Sequence, residues 1–397
     1  MRPPQHVLVI SHGFQSHYEL GFANGLAENG LAVVLLGSDT TLNTKLHPSV
    51  AFHNIRGSQS PQRSRWRKAW GLLSYHARLL HHCFKHRGEP MVIIGMLNPE
   101  WLVGVIESFV LRCLAGELAL VVHNVLPHNE PSRSKQLAYR LIYRIPHVLL
   151  AHTRATQADL QRDFYIQPQR MLLVPHGLND AVKPRPISKA AAKAAIGLPP
   201  AQATVLFFGR VSHYKGADLL LDALAQCPDL HLLMIGKSGA DPHCQAVRMR
   251  MPGFVEAGRA HWVDAYVDDD TVERYFAAAD VTVLPYRQID QSGVLLLSLT
   301  LGVPVLVTSV GGFSDVVNHS NSMPIAEASA QAVLAALRAF FAEHGRFDRD
   351  QVTSTVAHLA WKETLSAYSS RWTGRQADAG HAPHPDRRDL SIKEPSK

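Results

Sequence analysis

Cysteine is sparse in this 397-residue chain, and Cys83, Cys113, Cys227 and Cys244 include no CxxC pair. That spacing excludes a zinc ribbon and offers no disulfide framework, so the thiols are read as reduced, in a cytosolic setting. No signal peptide is expected, since Met1 and Arg2 run straight into HVLVIS, too short an apolar run for one. No G-x-G-x-x-G follows that first strand candidate. Ser11-His12-Gly13-Phe14 holds a single glycine, which disfavours a nicotinamide dehydrogenase. One stretch, 291–314, lacks charge for long enough to span a bilayer, but Gly302-Val303-Pro304 interrupts it. It reads as a buried helix followed by the strand PVLVTSV.

What is present is an ordinary globular balance of 46% hydrophobic and 18% charged residues, which excludes a largely disordered chain. At roughly 150 residues per domain the length predicts two or three domains. Lys and Arg total 40 against 33 Asp and Glu, a net charge of +7 that calls for an anionic partner. Acid is absent from 56–88, which holds Arg56, Arg63, Arg65, Arg67, Lys68, Arg78, Lys85 and Arg87. Trp66, Ala69, Trp70, Leu73, Ala77, Leu80 and Phe84 recur there at spacings of three and four, predicting an amphipathic helix. Two readings stand side by side: a stripe packed on the core with solvated charges opposite, or a contact with anionic lipid headgroups. A second acid-free stretch, 131–158, carries Arg133, Lys135, Arg140, Arg144 and Arg154. No helix-turn-helix, RNP or zinc-finger pattern accompanies the charge, so nucleic acid is not the expected partner.

Short apolar runs alternate with helical patterns, the mark of parallel sheets with crossover helices. Strands are expected at 6–11, 31–37, 91–96, 118–124, 147–153 and 170–177, then at 204–210, 231–237, 261–267, 281–286 and 304–310. Helices are expected at 215–227, 270–280 and 293–302. The expected organisation is an N-terminal domain at 1–181, a proline-bearing linker at 182–201 and a second domain at 202–345. A helical segment at 346–373 and a disordered tail at 374–397 follow. The class is α/β, with two Rossmann-like doubly wound domains facing across a cleft, and ligands beyond the carboxyl ends of the strands.

The densest chemical signal is FFGRVSHYKGADLLLDAL, where a strand ends at Gly209, Arg210 follows and Lys215-Gly216 opens the next helix. Two cations at a strand-to-helix edge suit a diphosphate leaving group. This string, then AAADVTVLPY, then a helix ending in GVPVLVTSVGG with Asp315 beyond, resembles the C-terminal half of the GT-B glycosyltransferases of the family 4 type. In the first half His12-Gly13, VVHNVLPH, LLAHTRATQADL and VPHGLND are similar to the same family, so the resemblance covers roughly 6–345.

The resemblance implies that Arg210 and Lys215 hold a donor diphosphate and stabilise the leaving nucleotide. It implies that Gln291, Ser292, Gly293 and Val294 present backbone amides to the same phosphates, and that Gly13 admits the donor closely. Gly236 and Val267, each expected at the end of a strand, would line the base and ribose pocket. His123 matches the family's active-site histidine. Its alternative is a buried histidine satisfied by a carbonyl, and His128 is an equal candidate for orienting the loop. One departure stands out: the family's two glutamates, eight residues apart, fall here on Ile289 and Leu297. The segment QSGVLLLSLTLG, with the HN-x-x-PH string from His123 to His128, is similar to bacterial exopolysaccharide mannosyltransferases of the xanthan-assembly type. Relatives of that kind invert the anomeric centre, which needs a general base. Glu130 is the first candidate, with Glu100 and Asp39 behind it.

Asp268-Asp269-Asp270 contains a DxD of the kind that binds a divalent cation in other transferases, but its place at the start of TVERYFAAAD marks helix caps. No metal or other cofactor is expected, and Asp241, His243 and Cys244 read as a loop. The expected partners are a nucleotide-sugar and a lipid-linked or polysaccharide acceptor, with the protein cytoplasmic and peripheral at the inner face of the plasma membrane. A nucleotide-sugar epimerase of the same fold, or a non-catalytic partner subunit, are the alternatives.

Overall fold

The computed structural model describes residues 6–13, 15–58, 60, 63–96, 102–125, 133–182, 187–343 and 345–373. Seven parallel strands make the first sheet, in the order β3-β2-β1-β4-β5-β6-β7. They are β1 (Val7–Ile10), β2 (Val33–Gly37), β3 (Val50–Asn54), β4 (Met91–Ile93), β5 (Leu118–Val122), β6 (Val148–Ala151) and β7 (Met171–Leu173). The second sheet has the order β10-β9-β8-β11-β12-β13. Its parallel strands are β8 (Thr204–Phe208), β9 (His231–Ile235), β10 (Ala260–Val263), β11 (Val281–Leu284), β12 (Val305–Thr308) and β13 (Ser322–Ile325). Each order reverses once, between β1 and β4 and between β8 and β11, and such a reversal opens a crevice at the carboxyl edge.

The first sheet is covered by α1 (Ser16–Glu28), α2 (Arg65–Lys85), α3 (Leu102–Leu114), α4 (Arg133–Ile142) and α5 (Arg154–Phe164). The second is covered by α6 (Lys189–Ala195), α7 (Ala217–Leu224), α8 (Pro242–Glu256), α9 (Asp269–Ala278), α10 (Gly293–Thr300) and α11 (Ala330–Ala342). Strands buried on both faces need apolar residues at every position, which is why β1 reads VLVI without alternation. Leu8 and Ile10 pack with Tyr75, Leu79, Leu111, Ile142 and Leu160 of α2 to α5. Val7 and Val9 pack on the opposite face with Tyr18, Phe22 and Leu26 of α1.

The C-terminal segment crosses back. After α12 (Arg349–Ser354), whose Val352 belongs to the core of the second lobe, come α13 (Trp361–Thr364) and α14 (Ser366–Thr373). Trp361, Leu365 and Tyr368 join the α1 face of the first lobe. The indole lies against Gly21 and Gly177, and the Cβ and carbonyl of Trp361 against Gly25, so a Cβ at any of the three would overlap this residue.

Several expectations need correction. Strands β3 and β13 escaped the sequence reading because VAFHN and SMPI carry polar residues or proline, which only edge strands tolerate. The strand expected at 261–267 ends at Val263, and Val267 instead packs beside Leu206 and Val272 in the core. Within the expected linker, α6 packs against α9, and Lys189 and Lys193 both pair with Asp280 (2.8 and 2.9 Å). Asp241, His243 and Cys244 form a helix start rather than a loop: Asp241 caps α8, accepting from the Cys244 amide at 3.0 Å. Pro252 and Gly253 inside α8 hid that helix.

The largest correction concerns α2. Its core-facing residues are Tyr75, Leu79 and Cys83, while the apolar stripe points outward, with Trp66 85% and Trp70 72% exposed. The reading of a stripe packed on the core is therefore overturned. The uncharged stretch 291–314 is, as read, a buried helix and strand, α10 and β12. Among the described residues no helix is long and apolar enough to cross a membrane.

Candidate active site

The carboxyl edges of the two sheets face one another. His17, in the first turn after β1, reaches Asp269 at the start of α9 (2.8 Å), and Lys45 reaches the other oxygen of the same carboxylate (3.1 Å). Close by, Thr153 at the end of β6 lies against Gly312, where a Cβ would overlap its methyl group. Asp268 caps α9, accepting from the Thr271 amide at 2.8 Å. Asp268 thus serves as a cap and Asp269, the middle residue of the DxD, as a cross-lobe partner.

In the second lobe the chain turns sharply after β8. Gly209 has φ 94°, and a Cβ there would stand 2.8 Å from Lys215 Nζ and 3.4 Å from Val294 Cγ2. The ammonium and the start of α10 therefore converge on one glycine. Lys215 ends a 3-10 turn and is followed by Gly216 at φ 67°, whose missing Cβ leaves room for the Pro285 carbonyl. The turn is pinned by Arg287, which pairs bidentately with Asp218 (3.0 and 2.6 Å) and donates to the His213 carbonyl (2.6 Å). Ser292 caps α10, accepting from the Leu295 amide at 3.2 Å and leaving the Gly293 and Val294 amides at an open helix start.

Lys215 is only 8% exposed, and burial lowers its pKa from 10.5 to about 8. Its ammonium lies 5.6 Å from the centre of the Tyr286 ring, and among the described residues no carboxylate pairs with it. Lys193 is buried as deeply yet is held by Asp280 and the Gln202 carbonyl. A buried ammonium without a counter-charge is costly, and an anionic ligand would relieve that cost. Arg210 is exposed, its guanidinium leaning toward Gly239 in the loop after β9. Gly236 ends β9 at φ 145°, against the Gly209 carbonyl, so only glycine fits there.

Across the cleft His12 and Gly13 both have positive φ, 60° and 74°. Glu19, fully buried, anchors that turn through the Ser11 hydroxyl, which itself accepts from the Gly13 amide at 3.2 Å. His12 bonds the Tyr75 hydroxyl and lies 3.3 Å from Glu107, which also meets His76 at 3.4 Å. His123 donates from Nε2 to the Ile94 carbonyl (2.7 Å), the alternative left open for it. Burial pushes its pKa down to about 4, so it is neutral near pH 7. Beside it His152 donates to the Val174 carbonyl (2.7 Å) and meets the Tyr18 hydroxyl (3.0 Å). His176 completes a row of neutral imidazoles, since burial lowers all three.

Glu130, Glu100 and His128 lie outside the described residues. Asp39 is exposed in the turn after β2. Ile289 and Leu297, where the family's glutamates would stand, are buried in apolar clusters, so neither position presents a carboxylate. The sequence reading missed the Arg287–Asp218 clamp and the Asp269 latch. Arg287 directly after VLPY was a visible signal for the first, whereas the second joins residues 252 positions apart.

Comparison with known proteins bears on these two facing lobes. A structure of sucrose-phosphate synthase from Thermosynechococcus elongatus superposes with a TM-score of 0.70 at 19% identity, covering 93% of this chain and 99% of that one. The fold is GT-B. Residues 202–343 match the family model described as glycosyl transferases group 1. This GT-B chain is 32% identical over 178 residues to the lipopolysaccharide core biosynthesis mannosyltransferase LpsB of Rhizobium meliloti, covering 43% of this chain and 50% of that protein. It is 36% identical over 104 residues to the GDP-mannose:glycolipid 4-beta-D-mannosyltransferase of Xanthomonas campestris, covering 26% and 29%. The chain thus spans about half the length, or less, of these curated relatives.

Proposed function

We propose that this GT-B protein is a hexosyltransferase. It moves a sugar, mannose first among the candidates, from a nucleotide-diphosphate donor to a lipid-linked or polysaccharide acceptor. The observation that carries this reading is Lys215: a buried ammonium over Gly209, without a carboxylate among the described residues, beside the open start of α10. Charge develops on the diphosphate as the glycosidic bond breaks, and cations and amides already in place stabilise it without reorganising. Arg210 adds a second cation from the exposed side. The reading requires no metal, because side chains supply the positive charge.

In the same reading Gly13 allows the first lobe to approach the donor, and neutral His123 offers the sugar a hydrogen-bonding edge. The names of the two relatives, both mannosyltransferases, support mannose and a glycolipid or lipopolysaccharide acceptor. The setting is then bacterial exopolysaccharide or cell-surface glycan synthesis, with the protein peripheral at the inner face of the plasma membrane.

Thermal shift with UDP-, GDP- and TDP-sugars identifies the donor, and transfer is then assayed on a lipid-linked acceptor. Lys215→Ala and Arg210→Ala should each lower transfer by about 10²-fold or more while the fold remains. Full activity in both variants rejects the diphosphate assignment. Donor binding without transfer favours a non-catalytic partner subunit.

A further inference from the structure

The outward faces of α2, α3 and α4 are apolar, and among the described residues nothing covers them. To the α2 stripe led by Trp66 and Trp70 are added Leu102, Ile106 and Phe109 on α3, and Leu137 and Leu141 on α4, all exposed. The helices lie side by side on one face of the first sheet, since α3 packs against both neighbours. Their inner residues Tyr75, Leu111 and Ile142 share a single core. The three stripes therefore form one surface rather than three scattered patches, and a contiguous exposed apolar surface marks an interaction site.

The charge around this surface has one sign. Helices α2 and α4 contain no acid, and the one acid of α3, Glu107, is turned inward to His12 and His76. Exposed Arg67, Arg78 and Lys85 each follow a stripe residue by one position, so they border the stripe. Exposed Arg140, one position before Leu141, and exposed Arg144, three after it, border the α4 stripe. A second copy meeting this face about a two-fold axis would set cation against cation. An anionic bilayer accepts both the apolar stripes and their rim: indoles at the headgroup boundary, guanidinium and ammonium groups on the phosphates.

We infer that the α2–α3–α4 face is a docking platform for an anionic lipid bilayer. This deepens the proposed reading of a lipid-linked acceptor and rests on it. All three helices begin at the carboxyl edge of the sheet, following β3, β4 and β5. Trp66 and Leu102 therefore stand at the cleft end of the platform, and a lipid-linked acceptor reaches the cleft with its tail still in the bilayer.

The test is sedimentation of the full chain with vesicles of phosphatidylglycerol and, separately, of phosphatidylcholine, with the donor-induced thermal shift measured on the same preparations. Wild type should bind the anionic vesicles at least tenfold more tightly. The pair Trp66→Ser with Trp70→Ser, and independently Ile106→Ser with Phe109→Ser, should weaken binding tenfold or more even in high salt. Arg67→Glu, Arg78→Glu and Lys85→Glu together should abolish the preference for anionic lipid. The donor shift should persist throughout, and brominated acyl chains should quench wild-type tryptophan fluorescence but not that of Trp66→Phe with Trp70→Phe. Absence of sedimentation, or binding unchanged in both apolar pairs, overturns the inference. So does a dimer, seen by light scattering, that the tryptophan pair dissolves. Vesicle binding without any donor shift would instead sink the transferase reading and leave the platform standing.

Discussion

Replacing Lys215 with Met should make the protein more stable and unable to hold a nucleotide. Burial lowers the lysine from 10.5 to about 8. At about 1.4 kcal/mol for each tenfold, its charged form costs the folded state about 3 kcal/mol. Methionine fills the space without charge but forfeits the contact with the Tyr286 ring, about 1 kcal/mol. The expected net gain at pH 7 is about 2 kcal/mol, or about 5 °C in Tm.

The pH dependence has a definite sign. Between pH 8 and 10.5 the unfolded chain keeps the lysine proton and the folded chain has lost it, so wild-type stability rises with pH through that window. The Met variant should lack that rise. A bound diphosphate holds the proton in place, so nucleotide affinity in wild type should fall above pH 8, and binding at pH 9 should take up nearly one proton. Urea unfolding at pH 7 and 9.5, with calorimetric titration in buffers of different ionisation enthalpy, measures all three effects. A Met variant that is less stable at pH 7 and still binds nucleotide would refute the reasoning.

Trp361→Ala should cost about 3–5 kcal/mol, because the indole fills the groove over Gly21 and Gly177; early proteolysis between the lobes and α14 reports the released segment. Asp269→Ala removes partly exposed pairs with His17 and Lys45 and should change stability by less than about 1 kcal/mol. It should nevertheless raise donor KM and the radius of gyration in solution scattering, and an unchanged radius would exclude a latch. Burial alone would raise Glu107, but its pairing with His12 and His76 (3.3 and 3.4 Å) holds it down at about 2. Its contribution is thus present above about pH 4.5 and lost as pH falls toward 2, an acid slope that Glu107→Gln should flatten in urea titrations.

Both sheets were legible because parallel strands buried on two faces must be continuously apolar, and the nine strands inside the sheets read that way. The edge strands β3 and β13 were not, since half-exposed edges accept His53, Asn54 and Pro324. Helix α8 escaped because Pro252 and Gly253 break its pattern. In the site, Gly209 and Lys215 were readable from a strand and a turn that adjoin in the chain, whereas Ser292 was reached through the resemblance. The carbonyl bond of His123 and the apolar packing of Ile289 and Leu297 needed neighbours from other elements.

By itself the sequence determined that there are two parallel α/β lobes, that cations gather after β8 and that the excess positive charge lies in the first half. These follow from local periodicity and composition. Only the tertiary structure decided which side of α2 is the inside. A stripe at spacings of three and four shows that a helix has an apolar face, but whether that face meets the sheet depends on what else the helix offers, and here Tyr75, Leu79 and Cys83 take the core. It also decided that Lys215 stands without a counter-charge among the described residues while Lys193 does not. Charge balance at a buried site is set by groups such as Asp280 that are distant in the chain and adjacent in space.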